Sequence, residues 1–353
     1  MTHIEQLQRQ GILRRGSARA GFRYVYARSG HGARRELRRI RQLRLPPGWR
    51  DVAISTSPRA RVQAVGRDAA GRWQYLYHVA HVRARERNQH RRLLHFGAAL
   101  PGLRRAVARD LRLCELSRER VLATVVRILS RAFIRPGSEA YAAENGSYGI
   151  ATLRRKHVRV GGATIHFDFP GKSGKRHQRT LQDPAVARVV RRLLKMPGYE
   201  IFKYVDGSGR IVDVKRRDIN EYIKQHMGER FSAKDFRTWA GTVLCACALA
   251  RSSVQRSPHD ARAGRRVVAA ALRETAQQLG NTPAVCRASY VTPCVLSAFE
   301  RGQVIEPSAA HADEITAHNL RGLHRAERAV LRLLKRTSRG NSAPRGHGLR
   351  AAA

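Results

Sequence analysis

The chain has 353 residues, with 69 Lys and Arg against 26 Asp and Glu, a net charge of +43 and a pI near 11.6. Like charge at that density repels itself in a compact fold unless a polyanion is present, and counterion release rewards a phosphate-bearing partner, so nucleic acid is the expected partner. A hydrophobic fraction of 42% supplies real cores and excludes a wholly disordered basic chain, and this length predicts roughly two domains.

Other classes are disfavoured by what the residues do not spell. The opening MTHIEQLQRQGILRRG has no apolar run of signal-peptide type, and the longest apolar stretch, TVLCACALA at 242–250, is too short to span a bilayer. Binding to an anionic membrane surface would ask for a long basic amphipathic helix with an aromatic face, which the sequence does not offer. The cysteines Cys114, Cys245, Cys247, Cys286 and Cys294 form no CxxC pair, and Cys245 and Cys247 would face different sides of a helix. The expectation is a soluble cytoplasmic protein with free thiols and no metal. Lysine is rare: nine of the 69 basic residues, eight of them between Lys156 and Lys234. Arginine thus serves for generic phosphate contact, and a lysine hints at a place where a proton must be given up.

In chain order, residues 20–83 read as strand-rich. GFRYVYARSG alternates Phe22, Tyr24 and Tyr26, LPPGWRDVAIS enters a second strand, and ARVQAVGRDAAGRWQYLYH reads as a hairpin around a Gly66–Gly71 turn. From about residue 84 the pattern becomes arginine-rich helix. LSRERVLATVVRILSRAFIRPGS puts Leu122, Val125, Val126, Leu129 and Phe133 on one helical face, with Ser117 as N-cap. KHVRV, the Gly161–Gly162 turn, ATIHFDF, PGKSGK and RHQRTLQD predict a three-stranded piece, with Ile165, Phe167 and Phe169 on one face and His166 and Asp168 on the other. Helices are predicted at 184–196, 215–227, 235–250, 262–279 and 314–336. The fold class is therefore α+β: a small β-rich N-terminal domain at 1–84, a larger, mainly helical domain at 85–337, and a basic disordered tail at 338–353.

The GKS at 171–173 is not a nucleotide loop, because the glycine such a loop needs five residues before Gly171 is His166. Taken alone, Lys172 is a residue at an exposed hairpin tip, Arg135 and Arg237 are two arginines among dozens, and Tyr290 in LGNTPAVCRASYVTP is a phenol that helix packing would explain. No His/Asp/Glu cluster has ligand spacing, and no serine or cysteine has a general base nearby in sequence.

Together and in order, FIRPGSEAYAAENGSYGIATLRRKHV, FPGKSGK, KDFRTWAGT and LGNTPAVCRASY resemble the type IB DNA topoisomerases of the bacterial and poxvirus-like branch. LPPGWRDV and GRDAAGRWQYLYH look like that family's entry domain, so the resemblance runs from about residue 10 to about residue 300. It implies a clamp on duplex DNA that relaxes supercoils by transient cleavage of one strand. Tyr290 would be the nucleophile forming a 3′-phosphotyrosine, and Arg135, Arg237 and Asn281 would hold the nonbridging oxygens in the transition state. Lys172 would protonate the departing 5′ oxygen, with Lys234 a possible assistant. Some relatives carry histidine where this chain has Asn281; an amide can donate to phosphate but supplies no proton near neutrality, which moves proton transfer toward Lys172. Gln74, Tyr75 and Tyr77 match the DNA-contacting stretch, while Trp73 stands where relatives often carry a basic residue. The resemblance implies no cofactor, neither ATP nor a required metal, no small-molecule substrate, and a monomer acting in the nucleoid.

Two rivals differ in kind. A tyrosine recombinase would share the catalytic chemistry but usually has His-x-x-Arg where this chain has Lys234 to Arg237. A non-catalytic nucleoid protein would explain the charge but not the ordered motifs.

Overall fold

A computed structural model describes residues 2–253, 261–317 and 321–339. By its internal contacts the chain divides into a unit ending at Gln89 and one starting at His90. The protein is α+β, with strands concentrated in the first unit and helices in the second.

The first unit comprises α1 (His3–Gln10), β1 (Ile12–Ser17), β2 (Gly21–Tyr26), α2 (Leu37–Gln42), β3 (Arg50–Ile54), β4 (Val62–Arg67) and β5 (Trp73–Tyr77). The strands form one antiparallel sheet in the order β2-β1-β3-β4-β5. Period-2 alternation sorts its side chains into two small cores. Ile12, Ile54, Ala64 and Leu76 pack with Ile40 of α2, and Ala53, Val62 and Val65 pack with Ile4 and Leu7 of α1. The hairpin after β4 turns later than the sequence reading placed it. Gly66 lies within β4, where an added methyl would press on the Trp49 ring at 2.7 Å, so this glycine serves close packing. The turn itself is closed by Asp68, whose carboxylate accepts from the amides of Ala70 (3.0 Å) and Arg72 (2.9 Å), with Gly71 at φ +73°.

Helix α3 (Val79–Asp110) begins five residues before the expected start, and the division into units falls within it. The second unit continues with α4 (Arg118–Ala132), α5 (Glu139–Asn145), β6 (Val158–Gly161), β7 (Thr164–Pro170), β8 (Arg176–Gln182), α6 (Pro184–Leu193), β9 (Lys203–Val205), β10 (Ile211–Asp213) and α7 (Arg216–Met227). It then runs through α8 (Ala233–Ser253), α9 (Ala261–Leu279), α10 (Pro283–Ser289), α11 (Pro293–Glu300), α12 (Glu314–Ala317) and α13 (Arg325–Arg339). As the spacing predicts, Ser117 caps α4, its hydroxyl accepting from the Arg120 amide at 3.4 Å, and Leu122, Val125, Val126 and Leu129 are buried. Strands β6, β7 and β8 form a three-stranded antiparallel sheet turning at Gly162 (φ +54°). Ile165, Phe167 and Phe169 face the core, and His166 is exposed.

Helix α8 runs through the core, with Trp239, Val243, Leu244, Cys245 and Cys247 all buried. Trp239 donates to Glu327 (2.9 Å), which also receives Arg104 (2.7 and 2.9 Å) and is fully buried. That carboxylate corrects the expected single helix over 314–336. Glu327 accepts from the backbone amide of His324 at 2.9 Å and fixes a fresh helix start there, so α12 and α13 are separate elements. The expected tail begins inside α13, which reaches Arg339, and its remainder, 340–353, lies outside the described residues. No helix among the described residues is long and apolar enough to cross a membrane.

Candidate active site

Four of the residues singled out in the sequence, Arg135, Arg237, Asn281 and Tyr290, converge in the second unit. Arg237 lies one turn into α8 and is 2% exposed. Its guanidinium is held by backbone oxygens: Nη1 donates to the Phe133 carbonyl, and Nη2 donates to the Leu279 carbonyl at 2.8 Å. Phe133 ends α4 in the left-handed region (φ 53°), a costly conformation for a bulky residue, and it is this turn that delivers the carbonyl. The guanidinium carbon stands 4.8 Å from the Tyr290 ring centroid.

Tyr290 is the C-cap of α10, its amide bonded to the Cys286 carbonyl at 2.9 Å. The turn packs onto α8 at Gly241, where a methyl would lie 2.8 Å from the Tyr290 carbonyl oxygen and 3.0 Å from its Cβ. Thr242 donates to the same carbonyl at 3.4 Å. Burial alone would raise the pKa of this half-buried phenol, but Arg237 and then Arg135, as charges and as donors, outweigh it and hold it below the ordinary value. Arg237 is pushed down to about 10, chiefly by burial and then by Arg135.

Arg135 follows the left-handed turn and spans two partners. Nη2 donates to the Asn281 side-chain oxygen, and Nη1 lies 3.3 Å from His177 Nε2. The Asn281 amide nitrogen and Arg237 Nε are buried donors with no partner among the described residues. Among the described residues, Arg135, Arg237 and neighbouring Arg179 donate to carbonyls, an amide oxygen, a histidine and the Tyr290 phenol, and to no carboxylate. Three crowded guanidiniums with no carboxylate partner among the described residues, plus two orphaned donors, have the chemistry to receive an anion. Among the described residues, no group of three His, Cys, Asp or Glu side chains converges as metal ligands.

Lys172 is exposed in a single 3-10 turn (Lys172–Gly174) joining β7 to β8. The base of that hairpin, Gly171, packs its backbone against the His177 ring. Lys234 is exposed at the start of α8, one turn before Arg237. In the first unit, Tyr75 and Tyr77 point to one face of β5 with their rings stacked at 6.1 Å, half-buried against Ala53, Val62 and Val65. Gln74 donates to Asp68 at 2.8 Å, which ties it to the β4–β5 turn. Trp73 lies under the Arg67 guanidinium at 4.7 Å.

Sequence reasoning passed over His177. It is 8% exposed, stacked on Phe169 (5.5 Å between centroids) and pushed down to about 4 by burial first and then by Arg135, Arg179 and Arg237. The signal was present in RHQRTLQ, because alternation along β8 places His177 on the face of Leu181, opposite Phe169.

The chain is similar over most of its length to known proteins. Residues 81–298 match the family model for the eukaryotic DNA topoisomerase I catalytic core, and residues 21–68 match that for the bacterial DNA topoisomerase IB N-terminal domain. The chain is 33% identical to DNA topoisomerase 1B of Acanthamoeba polyphaga mimivirus over 304 residues, which covers 85% of this chain and 90% of the relative. It is 25% identical to DNA topoisomerase 1B of vaccinia virus (strain Western Reserve) over 268 residues, 73% of this chain and 80% of the relative. A DNA topoisomerase 1 of Mycosarcoma maydis matches over 159 residues at 28% identity, covering 40% of this chain and 15% of that longer protein. A chain that matches both domain models and aligns with a viral enzyme over nearly all of that enzyme's length belongs to the type IB DNA topoisomerases.

Proposed function

We propose that the site cleaves and reseals one strand of duplex DNA through Tyr290. The phenol oxygen attacks a backbone phosphorus, a P–O bond to tyrosine forms, and the P–O bond to the 5′ oxygen breaks, leaving a 3′-phosphotyrosine and a free 5′-hydroxyl. Arg135 and Arg237 neutralise the nonbridging oxygens of the pentacoordinate transition state, and the Asn281 amide adds a donor. Lys172 protonates the 5′ oxygen as it departs, with Lys234 assisting. The phosphodiester energy is kept in the phosphotyrosine, so religation is the reverse attack, and neither ATP nor a divalent metal is required. The observation that carries this reading is the phenol held beside two guanidiniums that have no carboxylate partner among the described residues.

In this reading the domain at 1–84 and the catalytic domain at 85–337 close as a clamp around the duplex, with Gln74, Tyr75 and Tyr77 on the DNA and the residues from 338 onward adding nonspecific charge. The enzyme works as a monomer in the cytoplasm, on nucleoid DNA.

The test is to trap the covalent adduct by denaturing the protein on nicking-competent DNA and map the linked residue. The wild-type chain should yield an adduct at Tyr290 with chelator present. Tyr290→Phe should bind DNA normally and yield none. An adduct that persists in Tyr290→Phe moves the nucleophile elsewhere, and strict dependence of relaxation on Mg²⁺ or ATP overturns the mechanism.

A further inference from the structure

We propose that His177 is a positioning residue for this reaction, holding the Arg135 guanidinium in its transition-state orientation. The inference rests on the role proposed above for Arg135.

Three observations meet on one ring. His177 Nε2 lies 3.3 Å from Arg135 Nη1. Because a guanidinium can only donate, that nitrogen is the acceptor and the ring is the neutral Nδ1-protonated tautomer. The ring is clamped between two glycine backbones. A methyl on Gly280, which sits at φ +63° just before Asn281, would meet it at 2.5 Å, and a methyl on Gly171, just before Lys172, would overlap it. Phe169 stacks on it with planes 16° apart. His177 is thus packed closely against two backbones and one ring, which restricts its rotation.

The consequence for Arg135 is geometric. One edge of its guanidinium is anchored by the Asn281 oxygen and the other by His177, so both anchors must persist for the fork to keep its aim. A carboxylate at position 177 would hold Arg135 more strongly but would cancel the charge that the phosphate needs. A neutral acceptor orients the cation and leaves its charge intact. Burial first, and then the cations Arg135, Arg179, Arg237 and Lys175, keep the ring deprotonated at neutral pH.

The experiment compares His177→Phe, which keeps ring and stack but removes the acceptor, with His177→Gln, which keeps an acceptor and loses the ring. Single-turnover cleavage is measured at saturating duplex, beside DNA affinity, thermal unfolding and a duplex whose scissile 5′ bridging oxygen is replaced by sulfur. His177→Phe should bind DNA within about twofold of wild type and cleave more slowly by on the order of ten- to a hundredfold. The sulfur substrate should not rescue it, and it should add no further loss on an Arg135→Ala background. His177→Gln should recover most of the rate. Wild-type cleavage by folded His177→Phe makes the ring mere packing and overturns the proposal. Rescue by sulfur as complete as that of Lys172→Ala assigns the ring to the lysine hairpin instead and also overturns it. Should the phenylalanine variant fail to fold, the glutamine variant decides: folded, DNA-bound and as slow as Arg135→Ala, it refutes the role. If Arg135→Ala itself cleaves at the wild-type rate, the reading of the site has failed rather than this inference.

Discussion

Tyr290 and His177 lie in the same field of positive charge and titrate in the same direction for different reasons. At the phenol, burial opposes ionisation and the guanidiniums overcome it; at the imidazole, burial and the guanidiniums act together against the proton. The histidine carries a linkage consequence. Its folded pKa of about 4 lies below the ordinary 6.5, so below pH 6.5 the unfolded chain binds a proton that the folded chain refuses. Stability is thus fully present above pH 6.5 and is lost as pH falls through about 4, a shift worth about 3 kcal/mol. His90, His157 and His226 are depressed in the same sense, chiefly by burial. With only 26 acidic residues, acid lability should be set largely by histidines. Urea midpoints between pH 7 and 4.5 should fall steeply for the wild type, and His177→Phe should flatten the slope by close to one proton. An unchanged slope would mean that the ring is protonated in the folded state.

Lys172 differs from the arginines in what it can give up. An alkoxide leaves slowly without a proton, whereas a thiolate needs none. Lys172→Ala should therefore cleave ordinary DNA very slowly and be largely restored on the bridging-sulfur substrate. Arg135→Ala, Arg237→Ala and Asn281→Ala should be rescued far less, because the nonbridging charge they meet is unchanged. Equal rescue of lysine and arginine variants, measured as single-turnover rates, would transfer the proton donor's role to Lys234.

Among elements, the seating of α10 on α8 governs where the phenol points. Gly241→Ala would press a methyl against the Tyr290 carbonyl and Cβ and, at 3.1 Å, against Leu279, so backbone must shift. The expected result is a loss of about 1–3 kcal/mol in stability together with a marked fall in adduct formation at saturating DNA. Gly161→Ala, at an exposed position with nothing within 4 Å, is the control and should stay within about 0.5 kcal/mol of wild type. Adduct formation by Gly241→Ala at the wild-type rate would show that the turn tolerates displacement.

The β6–β8 sheet was legible in the sequence because its period 2 survives with Ile165, Phe167 and Phe169 inward, and α4 was legible from its serine cap and its apolar run, although it is buried on nearly all sides. Gly241 was not legible, since inside a helix buried on all sides one small residue looks like another. Nor was the break before α13, which depends on Glu327 being held by Arg104 and Trp239 from distant helices. The site residues came from the order of motifs rather than from any local pattern. The carbonyl cradle of Arg237, built from Phe133 and Leu279, exists only in three dimensions.

For the whole molecule, the net charge of +43 separates two kinds of electrostatics. Most of it lies on exposed side chains, where phosphate contacts release counterions and binding weakens with salt. For about 6–10 contacts, affinity should fall by roughly 10³–10⁵ between 50 and 200 mM salt. The charges that would act on the reacting phosphate are different, because Arg237 is 2% exposed and packed among carbonyls and other side chains, where mobile ions screen little. Binding and chemistry should therefore part company: once DNA is saturating, the single-turnover cleavage rate should change less than about threefold over the same salt range. Arg345 and Arg350 are the only Lys or Arg side chains in residues 340–353, so removing that stretch should lower the salt slope of log affinity by at most about two and leave that rate unchanged. Filter binding across salt, paired with rapid-quench cleavage at saturation, measures both. A cleavage rate that fell in step with affinity would mean that the clustered guanidiniums are screened like surface charge, and the burial of Arg237 would then have no catalytic consequence.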